Sequence, residues 1–146
     1  NWRMSEFQAI VGLAQLNLLE EIIKKRAYIA KLYDELLEDF SLLRPLGIPP
    51  EVRHNYYKYI VFLPKDRDPE ILRKHLKEKY NVSLGGYVYE APLHCQPVFK
   101  EYVDDLDGYQ TSDDLCSRHI ALPIYPQMTE QEAQHVIESL KNAFLI

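Results

Sequence analysis

A histidine between two prolines is a candidate in this chain for contact with a ligand. His94 lies between Pro92 and Pro97, and two prolines so close together predict a loop rather than regular structure. Loops often carry binding and catalytic side chains because a rigid scaffold can position them. The imidazole of His94 could bond a polar ligand, or it could only satisfy carbonyl groups of its own loop. The residues alone leave both interpretations open.

The spacing of the metal-binding residue types argues against a metal site. The other histidines adjoin predicted strands or lie in predicted helices: His54, His119, His75 and His135. No pair of them has the i,i+4 or short-loop spacing that zinc sites use. Cys95 and Cys116 have neither metal-ligand spacing nor the density of a secreted disulfide framework. The sequence therefore predicts no metal, structural roles for His54 and His119, and two reduced structural thiols.

The first element that must position these residues is a long amphipathic helix. Ser5 and Gln8 have the spacing of a capping box, so the helix should begin near Glu6. Apolar residues then recur in steps of three, four and seven: Phe7, Val11, Ala14, Leu18, Ile22, Ile29, Leu32, Leu36 and Phe40. A helix of that extent would be on the order of 50 Å long. We expect part of it to lie against something larger, or a break near Gly12 or Asn17.

Short strands and helices follow this helix. Strands are predicted at 42–44, 54–63, 82–89 and 119–122, and helices at 69–80, 96–103, 111–116 and from Thr129 onwards, where Thr129 and Glu132 form a second capping box. Thr111 and Ser112 should cap the third of these helices, and 104–110 should be exposed and mobile. The order predicts an α+β fold, in which a small, mainly antiparallel sheet with packed helices (41–146) follows the long helix (1–40).

Three details of the predicted sheet can be checked directly. The strand at 54–63 should be central, with Tyr57 and Tyr59 on one face and Tyr56 on the other. Gly85 and Gly86 mark either a bulge or a close approach of the backbone to another element.

Composition narrows the functional classes. The chain has 146 residues, 47% of them hydrophobic and 27% charged, which suits one domain. Its net charge of −5 argues against a nucleic-acid binder, which would need a basic face. It has no apolar run of about 18 residues and no pattern of a secretory signal. We therefore expect no membrane span and a cytoplasmic location.

Three separated stretches, in the same order, resemble the small C-terminal domain of DegT/DnrJ/StrS-type sugar aminotransferases. They are Asn1–Leu16, Tyr89–Pro97 and Leu122–Thr129. The resemblance covers essentially the whole chain and implies the small domain of a fold-type I aminotransferase. The chain starts with asparagine inside the first motif, so we expect it to be a fragment of a longer protein.

The resemblance also implies pyridoxal 5′-phosphate as cofactor. That chemistry needs a lysine as Schiff base and an acidic partner for the pyridine nitrogen. In the family both lie in the large domain, which would precede Asn1. The helical lysines of this chain are all predicted to be exposed: Lys24, Lys25, Lys31, Lys74 and Lys77. The fragment alone should hold no catalytic residue, bind no cofactor and be inactive.

Four residues of this chain are candidates for contacts with the cofactor or the substrate. Asn1 matches an asparagine that reaches across the dimer to the cofactor phosphate of the neighbouring subunit, and an amide can donate hydrogen bonds there. Arg3 could bond the diphosphate of a nucleotide sugar. Tyr89 and His94 lie in a loop that the family places over the sugar site. Tyr125, between two prolines of the third stretch, is expected to pack in the core.

The activity implied by the resemblance is amino transfer, with glutamate as donor, to a nucleotide-linked keto sugar for polysaccharide biosynthesis. The partners would be the chain's own large domain and a second subunit of a homodimer. Related branches act on cyclitols or aromatic precursors, and the motifs do not separate these substrates. The alternative is a non-catalytic α+β binding or dimerisation module. In isolation the chain should dimerise or swap through its long helix.

Overall fold

A computed structural model describes residues 3–103 and 107–144. The helices are α1 (Glu6–Leu37), α2 (Pro69–Tyr80), α3 (Gln110–Arg118) and α4 (Glu130–Phe144), and the strands are β1 (Arg44–Pro45), β2 (Tyr59–Phe62) and β3 (His119–Leu122). Three short 3-10 segments, Leu93–Cys95, Pro97–Tyr102 and Asp107–Tyr109, lie between α2 and α3. The predicted α+β class is confirmed. Within the described ranges, no helix is long and apolar enough to cross a bilayer.

Helix α1 begins at the predicted cap and runs without a break. The Gln8 amide donates to Ser5 Oγ over 3.4 Å, and the Ser5 amide donates to Gln8 Oε1 over 2.9 Å. Neither Gly12 nor Asn17 interrupts it, and it ends at Leu37, before the predicted limit at Phe40. Glycine and asparagine cost only about 1 kcal/mol or less at a helical position, which a helix of this length can absorb.

Only the second half of α1 is buried. Its buried residues are Ile29, Ala30, Tyr33 and Leu37, on the side that packs against α4. In the first half the large apolar side chains are exposed in the chain by itself: Phe7, Ile10, Val11, Leu13, Leu16, Leu18 and Leu19. That part of the helix lies against something larger stays a prediction. We call these seven residues the exposed apolar half of α1. This half extends past the sheet, so the described residues do not cover it.

The sheet is antiparallel with the strand order β1-β2-β3, so β2 is central as predicted. It begins at Tyr59 rather than His54, because Tyr56 adopts a φ of 48° that breaks the extended path. The His54 ring accepts a hydrogen bond from the Tyr56 amide at 3.1 Å and supports this turn, which confirms its structural role. The predicted alternation is therefore wrong: Tyr56 and Tyr59 both pack on the core, and Tyr57 is 68% exposed.

The stretch 82–89 is not a strand. Its one ladder contact is a bridge from Gly85 to Ala121 of β3, in which the Gly85 amide donates to the Ala121 carbonyl over 2.8 Å. A Cβ at Gly85 would lie 3.2 Å from the Ala121 Cβ, so the predicted close approach is confirmed. Pairing stops beyond this bridge, and the chain turns away toward the loop that carries Tyr89.

The remaining helices mostly follow their local signals. Asp68 caps α2, which ends at Tyr80 as predicted, and the inner face of α4 is buried as predicted: Ala133, Val136, Ile137, Leu140 and Phe144. The Glu132 amide donates to Thr129 Oγ1 and the Thr129 amide to Glu132 Oε2, which confirms the second capping box. The main core joins these helices, the second half of α1 and the sheet.

The chain departs from prediction at α3, at the loop and helix that precede α3, and at β1. Helix α3 begins at Gln110 after an N-cap position at Tyr109 that makes no side-chain hydrogen bond, so Thr111 and Ser112 do not cap it. The loop at 92–97 contains one 3-10 turn, and the helix predicted at 96–103 is a 3-10 segment. β1 lies at 44–45 instead of 42–44. Part of the segment predicted to be mobile, 104–106, lies outside the described residues.

Candidate functional site

A cavity of about 500 Å³ lies beside the loop that follows the Gly85 bridge. Its lining residues come from that loop, the following 3-10 segments and α3: Tyr89, Pro92, Leu93, His94, Phe99, Tyr102, Val103, Tyr109, Ser112 and Cys116. Two of the predicted site residues, Tyr89 and His94, therefore meet in one cavity. Arg3 is exposed just before α1 and does not line it. Asn1 lies outside the described residues.

The proline-bracketed turn fixes the direction of His94. The Cys95 amide donates to the Pro92 carbonyl and the Gln96 amide to the Leu93 carbonyl, each over 3.0 Å. The Gln96 side chain donates to the Ala91 carbonyl at 3.2 Å. These bonds close a single 3-10 turn over 93–95. The turn is therefore held by hydrogen bonds within residues 91–96 themselves. The turn presents the imidazole inward, where His94 is only 7% exposed.

His94 is held by two residues from the start of α3. Its Nε2 lies 2.9 Å from Asp113 Oδ1, and its ring stacks on Tyr109 with centroids 4.6 Å apart and planes 17° from parallel. The partner of His94 is thus a carboxylate, and neither of its ring contacts is to a loop carbonyl. Carboxylate and ring together restrict the imidazole to one orientation.

A second histidine, His119 of β3, holds the start of this loop by hydrogen bonds. His119 Nε2 accepts a hydrogen bond from the Val88 amide at 3.1 Å, and Nδ1 lies 3.1 Å and 3.0 Å from the carbonyls of Leu115 and Cys116. Because carbonyls only accept, Nδ1 carries the proton. The ring of Tyr87 packs edge-on against His119 at 5.4 Å. The structural role predicted for His119 is confirmed, and its bond to Val88 fixes the backbone next to Tyr89.

Sequence reasoning missed Tyr109 and Asp113. They follow His94 by fifteen and nineteen residues, in a stretch that the sequence identified only as polar and then as a short helix. The only sequence signal for the pair is their spacing: Tyr109 and Asp113 are four residues apart, which places two side chains on the same side of a helical turn. Their shared direction toward His94 depends on where α3 begins, which the local sequence did not reveal.

Both cysteines lie at this site as free thiols. Cys116 lines the cavity, and burial, Asp113 and Cys95 raise the pKa of its thiol. Cys95 is exposed, so it is not a packed structural residue. The ligand atoms of His94, Cys95 and Asp113 all lie within 4.8 Å of one another. Spacing along the chain missed this cluster because Asp113 comes from α3.

The other predicted residues lie away from this cavity. Tyr125 is 38% exposed, so its predicted packing in the core is wrong. Its pKa is raised by partial burial and by a hydrogen bond to Glu132. The helical lysines are exposed as predicted: Lys24, Lys25, Lys31, Lys74 and Lys77. Lys58 donates to the carbonyls of Gly86 and Tyr87. No lysine with a described side chain lines the cavity beside Tyr89.

Comparison with known proteins gives one consistent family. The model of the DegT/DnrJ/EryC1/StrS aminotransferase family matches residues 1–141. GDP-perosamine synthase of Escherichia coli O157:H7 is 26% identical, over 99% of this chain and 37% of its own length. A DegT DnrJ EryC1 StrS aminotransferase from Brucella abortus superposes with a TM-score of 0.82 at 26% identity, over 96% of this chain and 36% of that chain.

A third comparison adds a structure with a cofactor. NtdA from Bacillus subtilis, solved with bound cofactor PMP, superposes with a TM-score of 0.83 at 21% identity, over 99% of this chain and 33% of that protein. At that identity the likeness is one of fold. This chain therefore spans between a third and two fifths of the length of the proteins it matches.

Proposed function

Because the chain belongs to the DegT/DnrJ/EryC1/StrS aminotransferase family, we propose that it is the C-terminal small domain of a pyridoxal-phosphate-dependent sugar aminotransferase. The observation that carries the proposal is the family match over residues 1–141. The name of the 26% identical relative, GDP-perosamine synthase, supports a nucleotide-linked sugar as substrate. Glutamate is the amino donor in this proposal. A small domain alone accounts for the third of the relatives' length that the chain spans.

The cofactor belongs, in this proposal, to the rest of the full-length protein. Pyridoxal phosphate supplies the electron sink for amino transfer and is held through a lysine amine. The described lining of the cavity offers no amine, so its residues do not fit the cofactor by themselves. A large domain preceding this chain would provide the lysine. Asn1, at the very start of the chain, would reach the cofactor phosphate of the second subunit.

The contribution of this chain is to bind and orient the sugar. Tyr89 is 54% exposed, so its hydroxyl is available to donate to a sugar hydroxyl or a phosphate oxygen. His94 cannot rotate away, because Asp113 and Tyr109 hold its ring. Phe99 and Tyr102 line the same cavity and would give the bound sugar apolar contacts. Arg3 would bond the diphosphate at a separate edge of the assembled site.

The exposed apolar half of α1 supports a larger assembly. Seven large apolar side chains stand in solvent on one helix end. Contiguous exposed apolar surface of this kind marks an interface in soluble proteins. In the proposed enzyme the large domain and the second subunit would cover it. The non-catalytic dimerisation module would use the same surface, so α1 does not separate the two hypotheses.

Absorbance spectroscopy of the full-length protein tests the proposal. The protein encoded by the full gene is purified with pyridoxal phosphate, and its visible spectrum is recorded before and after glutamate is added. We expect a cofactor band that glutamate shifts and a nucleotide-linked keto sugar reverses. A folded full-length protein without a bound chromophore would refute the enzyme and favour the non-catalytic module.

Site variants of the full-length protein then test the cavity. Tyr89→Phe removes one hydroxyl, and we expect a higher KM for the keto sugar with an unchanged cofactor band. Loss of one hydrogen bond of about 0.5–1.5 kcal/mol corresponds to roughly a two- to tenfold change. Tyr57→Phe is the matched control, because Tyr57 is 68% exposed and does not line the cavity. Equal KM values in both variants would remove Tyr89 from the sugar site.

A further inference from the structure

The cluster formed by His94, Cys95 and Asp113 has the composition of a zinc site and a spacing close to that of one. The ligand atoms of these residues lie within 4.8 Å of one another, and His94 Nε2 is 2.9 Å from Asp113 Oδ1. In tetrahedral zinc sites ligands at about 2.0–2.3 Å from the ion are separated from each other by roughly 3.3–3.8 Å. Each pair in the cluster therefore needs to move by roughly an ångström or less to reach that geometry.

We propose that His94, Cys95 and Asp113 bind one Zn²⁺ ion, with a solvent molecule in the fourth position. An imidazole nitrogen, a thiolate and a carboxylate oxygen are the ligands that zinc takes in proteins. Magnesium and calcium prefer oxygen ligands alone, so the mixed set favours zinc over them. Cys95 and Asp113 are exposed, which leaves the fourth position open to solvent.

The His94–Asp113 hydrogen bond exists without an ion, so Cys95 is the residue that distinguishes a metal site from an ordinary ion pair. The 3-10 turn fixes Cys95 next to His94, and its thiol lies beside the bonded pair. Binding would release the proton of the Cys95 thiol to solvent. The ion would also take the place of the proton between His94 Nε2 and Asp113 Oδ1, which would pass to His94 Nδ1 or to solvent. The ion would join the turn at 93–95 to α3 and so hold the wall of the cavity in place.

This inference does not depend on the proposed function. It concerns a metal bound by residues of this chain, and its test measures binding of the metal itself. A negative aminotransferase assay would not change the measured zinc affinity. A failure to bind zinc would not change the cofactor spectrum of the full-length protein.

The experiment uses the reduced, chelator-stripped chain and two probes, Zn²⁺ and Co²⁺. Zinc affinity is measured by competition with a chromophoric chelator, and Co²⁺ reports a thiolate ligand through its charge-transfer absorbance. We expect one ion per chain and a thiolate band with Co²⁺. Cys95→Ser should abolish that band, and Cys95→Ser and Asp113→Asn should each weaken zinc binding by more than about tenfold, because even residues that only support a ligand cost that much.

Two variants serve as matched controls. Cys116→Ser removes the other thiol of the same site, and His135→Gln removes an exposed histidine of α4. Both should bind zinc as the unmodified chain does and keep the cobalt thiolate band. Circular dichroism confirms that each variant is folded; Cys95 is exposed, so its substitution should not unfold the chain. Substoichiometric binding, unchanged affinity in Cys95→Ser, or loss of the band in Cys116→Ser would overturn the assignment.

Discussion

Two adjacent glycines should respond to alanine with opposite signs. At Gly85 a new Cβ would lie 3.2 Å from the Ala121 Cβ and 3.3 Å from its carbonyl oxygen, whereas at Gly86 nothing lies within 4 Å. Carbon atoms prefer about 3.5–4.0 Å, and Ala121 is only 1% exposed in β3, so it has little room to move. Overpacking of this kind costs about 1–3 kcal/mol.

The same substitution also restricts the unfolded chain, which stabilises the folded protein by about 0.4–1 kcal/mol at either position. Neither glycine has a positive φ, so alanine meets no backbone strain. We therefore expect Gly86→Ala to stabilise by about 0.4–1 kcal/mol and Gly85→Ala to destabilise by about 1 kcal/mol. Because the unfolded-state effect cancels between them, the difference of about 1–3 kcal/mol measures the steric contact alone.

Urea unfolding followed by circular dichroism gives the assay. The midpoint should move in opposite directions for the two variants while the slope with denaturant stays the same. A difference of 1 kcal/mol corresponds to roughly 2–4 °C in melting temperature for a chain of this size, which thermal unfolding can resolve. Equal midpoints for the two variants would refute the close approach of Gly85 to β3, and with it the path of the loop that carries Tyr89.

Four further predictions concern the core, the last helix and the first helix. Tyr33→Phe should destabilise by about 1–3 kcal/mol in urea unfolding, because it leaves the Pro123 carbonyl without the hydroxyl that bonds it at 2.7 Å. Thr129→Ala should cost about 1 kcal/mol by the same assay, through loss of the cap of α4. Hydrogen bonds from the Thr129 amide, the Thr129 hydroxyl and Tyr125 lower the pKa of Glu132. The stabilisation by ionised Glu132 is therefore present above the usual carboxyl range and is lost as pH falls through the lowered pKa. Unfolding measured from pH 3 to 7 should show this pH dependence in the unmodified chain and lose it in Glu132→Gln. Light scattering should detect self-association of the isolated chain, and Leu16→Glu, on the exposed apolar half of α1, should reduce it; a strict monomer at high concentration would contradict the prediction.

Elements with a local signal were predictable from the sequence. The capping boxes at Ser5 and Thr129 and the Asp68 cap mark helix starts through hydrogen bonds within one turn, and the structure confirms all three. β3 was also placed at the residues where it occurs, because a short β-branched and apolar run ends at Pro123.

Features set by tertiary contacts were not predictable in the same way. The positive φ of Tyr56 shortens β2 and reverses the faces of two tyrosines, and no turn residue such as glycine or asparagine occupies that position. The stretch 82–89 has strand-like composition, yet it pairs at one residue, because beyond Gly85 the Val88 amide bonds the His119 ring instead of a strand.

The candidate site shows the same division between local and tertiary information. Tyr89 and His94 were found from a short motif and its prolines, and they do meet in one cavity. Asp113 and Tyr109, which hold His94, come from a helix whose start has no side-chain cap to reveal it. The partner of a loop residue is set by packing between elements, and a single sequence carries little signal for that.

The two halves of α1 differ in what stabilises them. Its second half is held by core residues such as Tyr33, whereas its first half exposes seven large apolar side chains. Burying a side chain of that size stabilises by about 1.5–3 kcal/mol, so covering all seven would provide on the order of 10 kcal/mol. Helices without tertiary contacts are marginal in water. The apolar sequence of the first half therefore makes physical sense only if another surface covers it, and this is the part of the chain whose stability should depend most on a partner.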